Sequence, residues 1–164
     1  MSLQDLANIS QIAQTVLVIV SLGFIWHQLK EGVRLAKSEN ARSLAEQAEA
    51  FNSLIMQNAD LAKLWYSYGQ TLENWNEVDR LRYREMLLQR LIFHEYVYYQ
   101  RKHKLLDDEI YHSLSAYLER IVQQHNLDVV SSDIQDVFLG SYGQHISQLQ
   151  MKLKESQSSS NSRV

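Results

Sequence analysis

Two groups of side chains in this sequence have the types and spacing that chemistry needs. Glu109-Ile110-Tyr111-His112 has the Glu-x-x-His spacing, which places a carboxylate and an imidazole on one helix face where both can ligate one ion. A di-metal bundle needs a second copy and two further glutamates, and no second copy occurs. No metal and no cofactor are therefore expected, and Glu109 is assigned to dipole compensation at a helix start. The denser group is Arg90, His94, Glu95, Tyr98 and Tyr99, interleaved with Leu87, Leu88, Leu91, Ile92, Phe93 and Val97. Counting turns from Leu81 through Leu88 and Leu91 or Ile92 puts Glu95 and Tyr99 on the apolar arc. A carboxylate there needs Arg or Tyr donors, or it is driven to protonate. These five residues are the candidate ligand-binding set, for a small polar ligand or a proton transfer; the competing role is a hydrogen-bonded core carboxylate that fixes helix register. With no Ser or Cys nucleophile in a recognisable turn, His94 suggests no hydrolase, and no catalytic residue is expected.

The elements that must position these residues are constrained by composition. The chain has 164 residues, 45% apolar and 21% charged, which bounds one ordinary domain plus an appendage. Sixteen basic against 19 acidic side chains, a net charge of -3, remove the global basic excess of non-specific nucleic-acid binders, so nucleic acid is not an expected partner. Zero Cys excludes disulfides, thiolate zinc sites and thiol catalysis. Zero Pro and only five Gly leave few helix breaks, so an all-α chain is expected.

Between Asp5 and Lys30 lie 24 positions without a formal charge. At about 1.5 Å per residue they span roughly 36 Å, enough for a hydrocarbon core of about 30 Å. Val16, Leu17, Ile19, Leu22, Phe24, Ile25 and Trp26 are the expected lipid-facing residues, Trp26 as interfacial anchor. Lys30, Arg34, Lys37 and Arg42 follow, predict a cytoplasmic carboxyl side, and are assigned to anionic lipid headgroups. A cleaved secretory signal would need a basic start and a small-residue cleavage site, and Trp26-His27-Gln28-Leu29-Lys30 supplies no such site. The competing reading is a core helix of a soluble oligomer, because Asn8, Ser10, Gln11, Gln14 and Thr15 crowd the first half.

The same helix is expected to continue from Lys30 to Gln57, carrying Leu44, Ala48, Phe51, Leu54 and Ile55 on one side, with Gly32 as its weak point and a hinge at the membrane surface. Asn58 predicts a short helix from Ala59 to about Tyr68, and Asn76 one from Glu77 to about Lys104. Asp107 predicts the start of a fourth, with Leu106 stapled to Tyr111 and Asn126 as a left-handed stop. Ser132-Asp133-Ile134-Gln135 matches a capping box for a fifth helix to about Lys154, carrying Ile134, Phe138, Tyr142, Ile146 and Leu149. Val129-Val130 is the one brief strand-like pair, and the Ser-rich 155–164 predict disorder. The expected organisation is a membrane-anchor helix over 1–30, an antiparallel helical bundle over 31–154, and the tail. Around the second helix Phe51, Trp65, Tyr66, Tyr68 and Trp75 either close the end of the core or form a partner-binding patch. The basic excess of helix three, Arg80, Arg82, Arg84, Arg90, Arg101, Lys102 and Lys104, is expected to be used up by solvation and by pairing with Asp107, Asp108 and Glu109.

Three stretches behind the apolar helix, Ala59-Asp60-Leu61-Ala62-Lys63-Leu64-Trp65, Glu95 with Tyr99-Gln100, and Leu105-Leu106-Asp107-Asp108-Glu109-Ile110-Tyr111, carry a likeness over most of residues 9 to 150. In them the chain resembles an uncharacterised family of small bacterial single-pass membrane proteins with a C-terminal helical domain. That family typically has Asn-Pro-Glu-Leu-Ala before the Trp and a Gly before Leu-Leu-Asp, where this chain has Ala59, Asp60 and Lys104. The resemblance implies an inner-membrane anchor with a cytoplasmic bundle and transfers no activity. The expected function is a non-catalytic, membrane-anchored interaction or regulatory domain whose partners are the bilayer and a protein or a second copy. Two alternatives stand beside it: an oligomeric ligand-gated effector using Gln11, Gln14, Thr15 and Ser21, and a soluble ligand-binding bundle centred on Glu95 and His94.

Overall fold

The computed structural model describes residues 3–67, 75–125, 127–130, 138 and 140–161. Among them the chain is all helix, with no strand: α1 (Leu3–Gln57), α2 (Ala59–Tyr66), α3 (Glu77–Lys102), α4 (Asp108–Gln124), a 3-10 turn (Leu127–Val130) and α5 (Ser141–Asn161). The chain divides into two compact units, Met1–Glu39 and Asn40–Val164.

In the first unit, α1 runs through Gly23 and Gly32 without a break, so Gly32 is an ordinary helical position. Every side chain from Asn8 to Lys30 is exposed. The hydroxyls on this stretch bond within the helix: Thr15 Oγ1 donates to the Gln11 carbonyl at 2.9 Å and Ser21 Oγ to the Leu17 carbonyl at 2.8 Å. Such back-bonding satisfies each hydroxyl without a partner helix.

In the second unit, small polar residues start the helices. The Asn58 carboxamide oxygen accepts from the Asp60 and Leu61 N–H groups, both at 3.1 Å, and Asn76 Oδ1 accepts from the Asp79 N–H at 2.8 Å. Asp107 has the extended backbone of an N-cap, but its side chain makes no cap bond; Asp108 and Glu109 supply first-turn negative charge instead. Leu106 is buried beside Tyr111, as a hydrophobic staple requires.

Expected boundaries move at α2 and at both ends of α5. α2 ends at Tyr66 with Ser67 as its cap, whereas Tyr68, Gly69 and Asn126 lie outside the described residues. α5 begins at Ser141; the capping-box residues 132–135 are also outside the described set, and Phe138 precedes the helix rather than lying on it. Gly140, at φ +92°, turns the chain into α5, and a Cβ on Gly143 would lie 2.0 Å from the Phe138 carbonyl oxygen. The helix continues to Asn161, past Glu155 where disorder is expected, because no Gly or Pro interrupts it. Val130 belongs to the 3-10 turn and is fully buried, so the Val129-Val130 pair is no strand.

α3 is the central element and contributes to all three core clusters. Tyr83, Leu87 and Leu91 meet Leu118, Ile121, Phe138, Tyr142 and Ile146; Met86 meets Phe51, Ile55, Leu64 and Trp65; Phe93 and Val97 meet Leu44 and Leu106. Of the expected arc Leu91 is fully buried, whereas Leu81 and Ile92 are about half exposed, and Arg90 and His94 are buried instead. Rings close the end of the core, with Phe51 edge-on to Trp65 at 5.2 Å and Trp75 edge-on to Tyr83 at 5.2 Å, while Tyr66 is exposed.

The end of α3 carries a strained residue. Leu105 N–H donates to the Gln100 carbonyl at 2.9 Å and Lys104 N–H to the Arg101 carbonyl at 3.0 Å, the paired bonds of a Schellman cap. Lys104 therefore sits at φ +60°, where a Cβ costs about 1 kcal/mol. Lys104→Gly is expected to raise stability by about 1 kcal/mol, read as a higher urea midpoint with unchanged slope; an unchanged or lower midpoint would contradict the assignment.

Candidate functional site

α3 carries all five expected ligand-binding residues and divides them between two faces. Arg90 and His94 face Phe51 and Asn52 of α1 and Tyr117 of α4. Tyr98 and Tyr99 face α5, and Glu95 acts electrostatically on Tyr142 of the same helix. The sequence set is thus two groups.

Arg90 is 3% exposed, and its guanidinium carbon lies 3.7 Å from the Phe51 ring centroid, 5.7 Å from that of Phe93 and 5.8 Å from that of Tyr117. Stacking on Phe51 places the cation over the negative face of a ring. Of the five N–H groups a guanidinium carries, only one on Nη2 finds an acceptor among the described residues, Asn52 Oδ1 at 2.9 Å. Nε is buried with no partner, and no described carboxylate forms an ion pair with Arg90. Burial lowers its pKa, but a guanidinium stays charged in a protein. A cation counted in the sequence as part of a solvated face is therefore buried, with no compensating carboxylate among the described residues.

His94 is 2% exposed, with Nε2 buried and without a partner among the described residues. Burial, helped by the Arg90 charge, pushes its pKa down to about 3, so the ring is neutral at pH 7. Beside Arg90 opens a cleft of about 600 Å³ between α1 and α3, lined by Gln47 and Phe51 on one side and by Gln89, Arg90, Phe93 and Tyr96 on the other.

On the other face, Tyr98 stacks on His145 at 5.3 Å and lies 5.7 Å from Tyr142, while the Lys102 ammonium sits 5.6 Å from the Tyr99 ring. Tyr142 donates its hydroxyl to the Leu91 carbonyl at 2.9 Å. Glu95 is half-buried, burial raises its pKa, and neither an Arg nor a Tyr donor reaches it. The expected hydrogen-bonded core carboxylate is absent among the described residues because the side chain keeps access to solvent.

Among the other charged side chains, Arg101 Nε is also buried without a partner among the described residues, although the same guanidinium forms an ion pair. Arg101 pairs with Asp108 at 2.8 Å, and Arg82 with Asp79 at 3.7 Å. Arg34 pairs with Glu31 at 2.8 Å and Arg42 with Glu46 at 2.7 Å, so two of the four residues assigned to headgroups also bond along their own helix. Exposed pairs of this kind contribute little and exchange readily for other anions. Glu109 and His112 are exposed.

Sequence reasoning missed two features. Phe51 and Asn52 complete the Arg90 environment from a helix 38 residues away, with no local signal. His125, 7% exposed, bonds through Nδ1 to the Tyr83 hydroxyl at 2.9 Å and lies 4.2 Å from the Trp65 ring. Burial lowers its pKa to about 4.

No protein-family model, no curated protein and no solved structure matches this chain, so the geometry above is the ground for any functional reading.

Proposed function

We propose that the chain is a single-pass, membrane-tethered helical domain without catalysis of its own, whose bundle engages a protein partner or a second copy. One observation carries this reading. The stretch of α1 that is long and apolar enough to cross a membrane has none of its side chains buried: Leu17, Ile19, Leu22, Phe24 and Trp26 are all at least 60% exposed. A continuous apolar surface of that length in water forfeits about 25 cal/mol for each Å² left uncovered, and lipid removes the cost. The polar groups on the stretch are compatible with lipid, since the Thr15 and Ser21 hydroxyls already bond to their own helix. Following the Lys30, Arg34, Lys37 and Arg42 charges, the second unit lies in the cytoplasm, at the inner membrane of a bacterium. Support for partner binding comes from half-exposed Leu54, Leu81 and Ile92 beside a second cleft of about 550 Å³.

Alkaline extraction tests the tether. The full chain is expected to stay with the membrane pellet, and Leu17→Arg with Leu22→Arg to release it, because each central Arg costs about 2.5 kcal/mol or more in a span. Full-length chain released as a compact, detergent-free monomer would end the reading. The lack of Cys makes orientation equally direct: a single Lys63→Cys is expected to resist an impermeant maleimide until the inner membrane is opened.

A further inference from the structure

The strongest unexplained feature of the second unit is the cation at the base of the α1–α3 cleft. A protein that buries a guanidinium ordinarily supplies a carboxylate or a full set of acceptors, because an uncompensated buried charge destabilises the fold. Among the described residues Arg90 has Asn52 as its one acceptor, an aromatic face at 3.7 Å, and an Nε with no partner. We propose that this cleft binds an organic monoanion, an apolar or aromatic carboxylate, whose charged end takes up the Arg90 donors and whose body lies against Phe51, Ile92 and Phe93.

Each part of that chemistry follows from the site. Its volume, about 600 Å³, is in the range of small-molecule sites and far exceeds an inorganic anion. The walls supplied by Ala50, Phe51, Ile92 and Phe93 are apolar and demand an apolar body. The positive charge is single, because the adjacent His94 ring is held neutral, and one cation matches one negative charge. A guanidinium presents its N–H groups in a planar fork that suits a carboxylate. Gln47 and Gln89, both exposed, line the same cleft and add amide groups to it. The site lies wholly within the second unit, so it stands or falls independently of the membrane tether.

Calorimetry on the full chain in zwitterionic phosphatidylcholine nanodiscs tests the proposal, with 1-naphthoate as probe and empty nanodiscs as the partitioning control. Naphthoate is expected to bind saturably, and at least tenfold more tightly than the neutral 1-naphthalenemethanol or than inorganic phosphate. Arg90→Met is expected to weaken naphthoate by about ten- to a hundredfold while raising the thermal midpoint, because a charge held for a ligand is replaced by an apolar side chain of similar length. Ile92→Glu, at a half-exposed position that the fold tolerates, is expected to weaken naphthoate about tenfold, and Ile92→Gln to leave it within threefold. Equal binding of naphthoate and the alcohol, no saturable naphthoate binding, phosphate binding as tightly as naphthoate, or unchanged affinity in Ile92→Glu would each overturn the proposal. A lowered midpoint in Arg90→Met with naphthoate affinity intact would assign Arg90 to the fold alone.

Discussion

Acidification from pH 7 towards pH 4 is expected to unfold the second unit, and two buried imidazoles are the cause. His94 and His125 have folded pKa values of about 3 and about 4, against 6.5 for the free side chain. The unfolded chain therefore binds protons that the folded chain refuses, and stability is complete above about pH 6.5 and lost as the pH falls towards the folded values. At about 1.4 kcal/mol per pH unit, the full effect is about 5 kcal/mol at His94 and about 3 kcal/mol at His125. Together these rival the whole stability of a typical domain, about 5–15 kcal/mol. His125 has a built-in reporter, since Trp65 lies 4.2 Å from its ring. Circular dichroism and tryptophan fluorescence should show one cooperative transition between about pH 6 and pH 4, coincident in the two probes. In His94→Gln with His125→Gln, if that variant folds at pH 7, the midpoint should fall by about one pH unit or more. An unmoved midpoint would remove the imidazoles as the cause.

Gly143→Ala should be the most damaging single methyl in the second unit. The added Cβ would stand 2.0 Å from the Phe138 carbonyl oxygen and 3.2 Å from its carbonyl carbon, and both are backbone atoms that no rotamer change can move. Relief requires Phe138 or the first turn of α5 to shift. Phe138, Tyr142 and Ile146 are each at most 2% exposed, so any shift opens the largest core cluster. A loss of about 3 kcal/mol or more is expected, in the class of overpacking combined with backbone strain. Gly140→Ala meets no close atom but holds φ +92°, and should cost about 1–2 kcal/mol. Urea denaturation of the two variants checks the order; a smaller loss in Gly143→Ala than in Gly140→Ala would refute the close approach.

The helix starts were readable because each depends on a few adjacent residues. Asn58 and Asn76 are short polar side chains that reach N–H groups two or three positions on, and the absence of Pro left α1 nothing to stop it before Asn58. The buried face of α3 was not readable in the same way. Counting apolar residues from Leu81 through Leu88 to Leu91 or Ile92 found the buried Leu91, but α3 is surrounded by three clusters, and the arc it buries leaves out Leu81 and Ile92 and includes Arg90 and His94. A hydrophobicity count has no means of placing a cation inside. The capping-box residues 132–135 lie outside the described residues, and α5 begins at Ser141 just after the positive-φ Gly140. For the candidate site, Arg90 and His94 could be singled out as polar groups in an apolar run, whereas the cleft exists only where α1 crosses them.

The contribution of Leu44, Phe51 and Ile55 to the core bears on how the protein is made. These residues leave the ribosome before most of what they pack against, since Met86, Phe93 and Val97 follow by roughly 30 to 50 residues. At about 5–20 residues per second, that wall of the future bundle waits for about 2 to 10 s. During synthesis the nascent chain thus presents a sticky apolar ridge, first met by Leu64 and Trp65 of the short following helix, and holdase chaperones would have a defined interval in which to act.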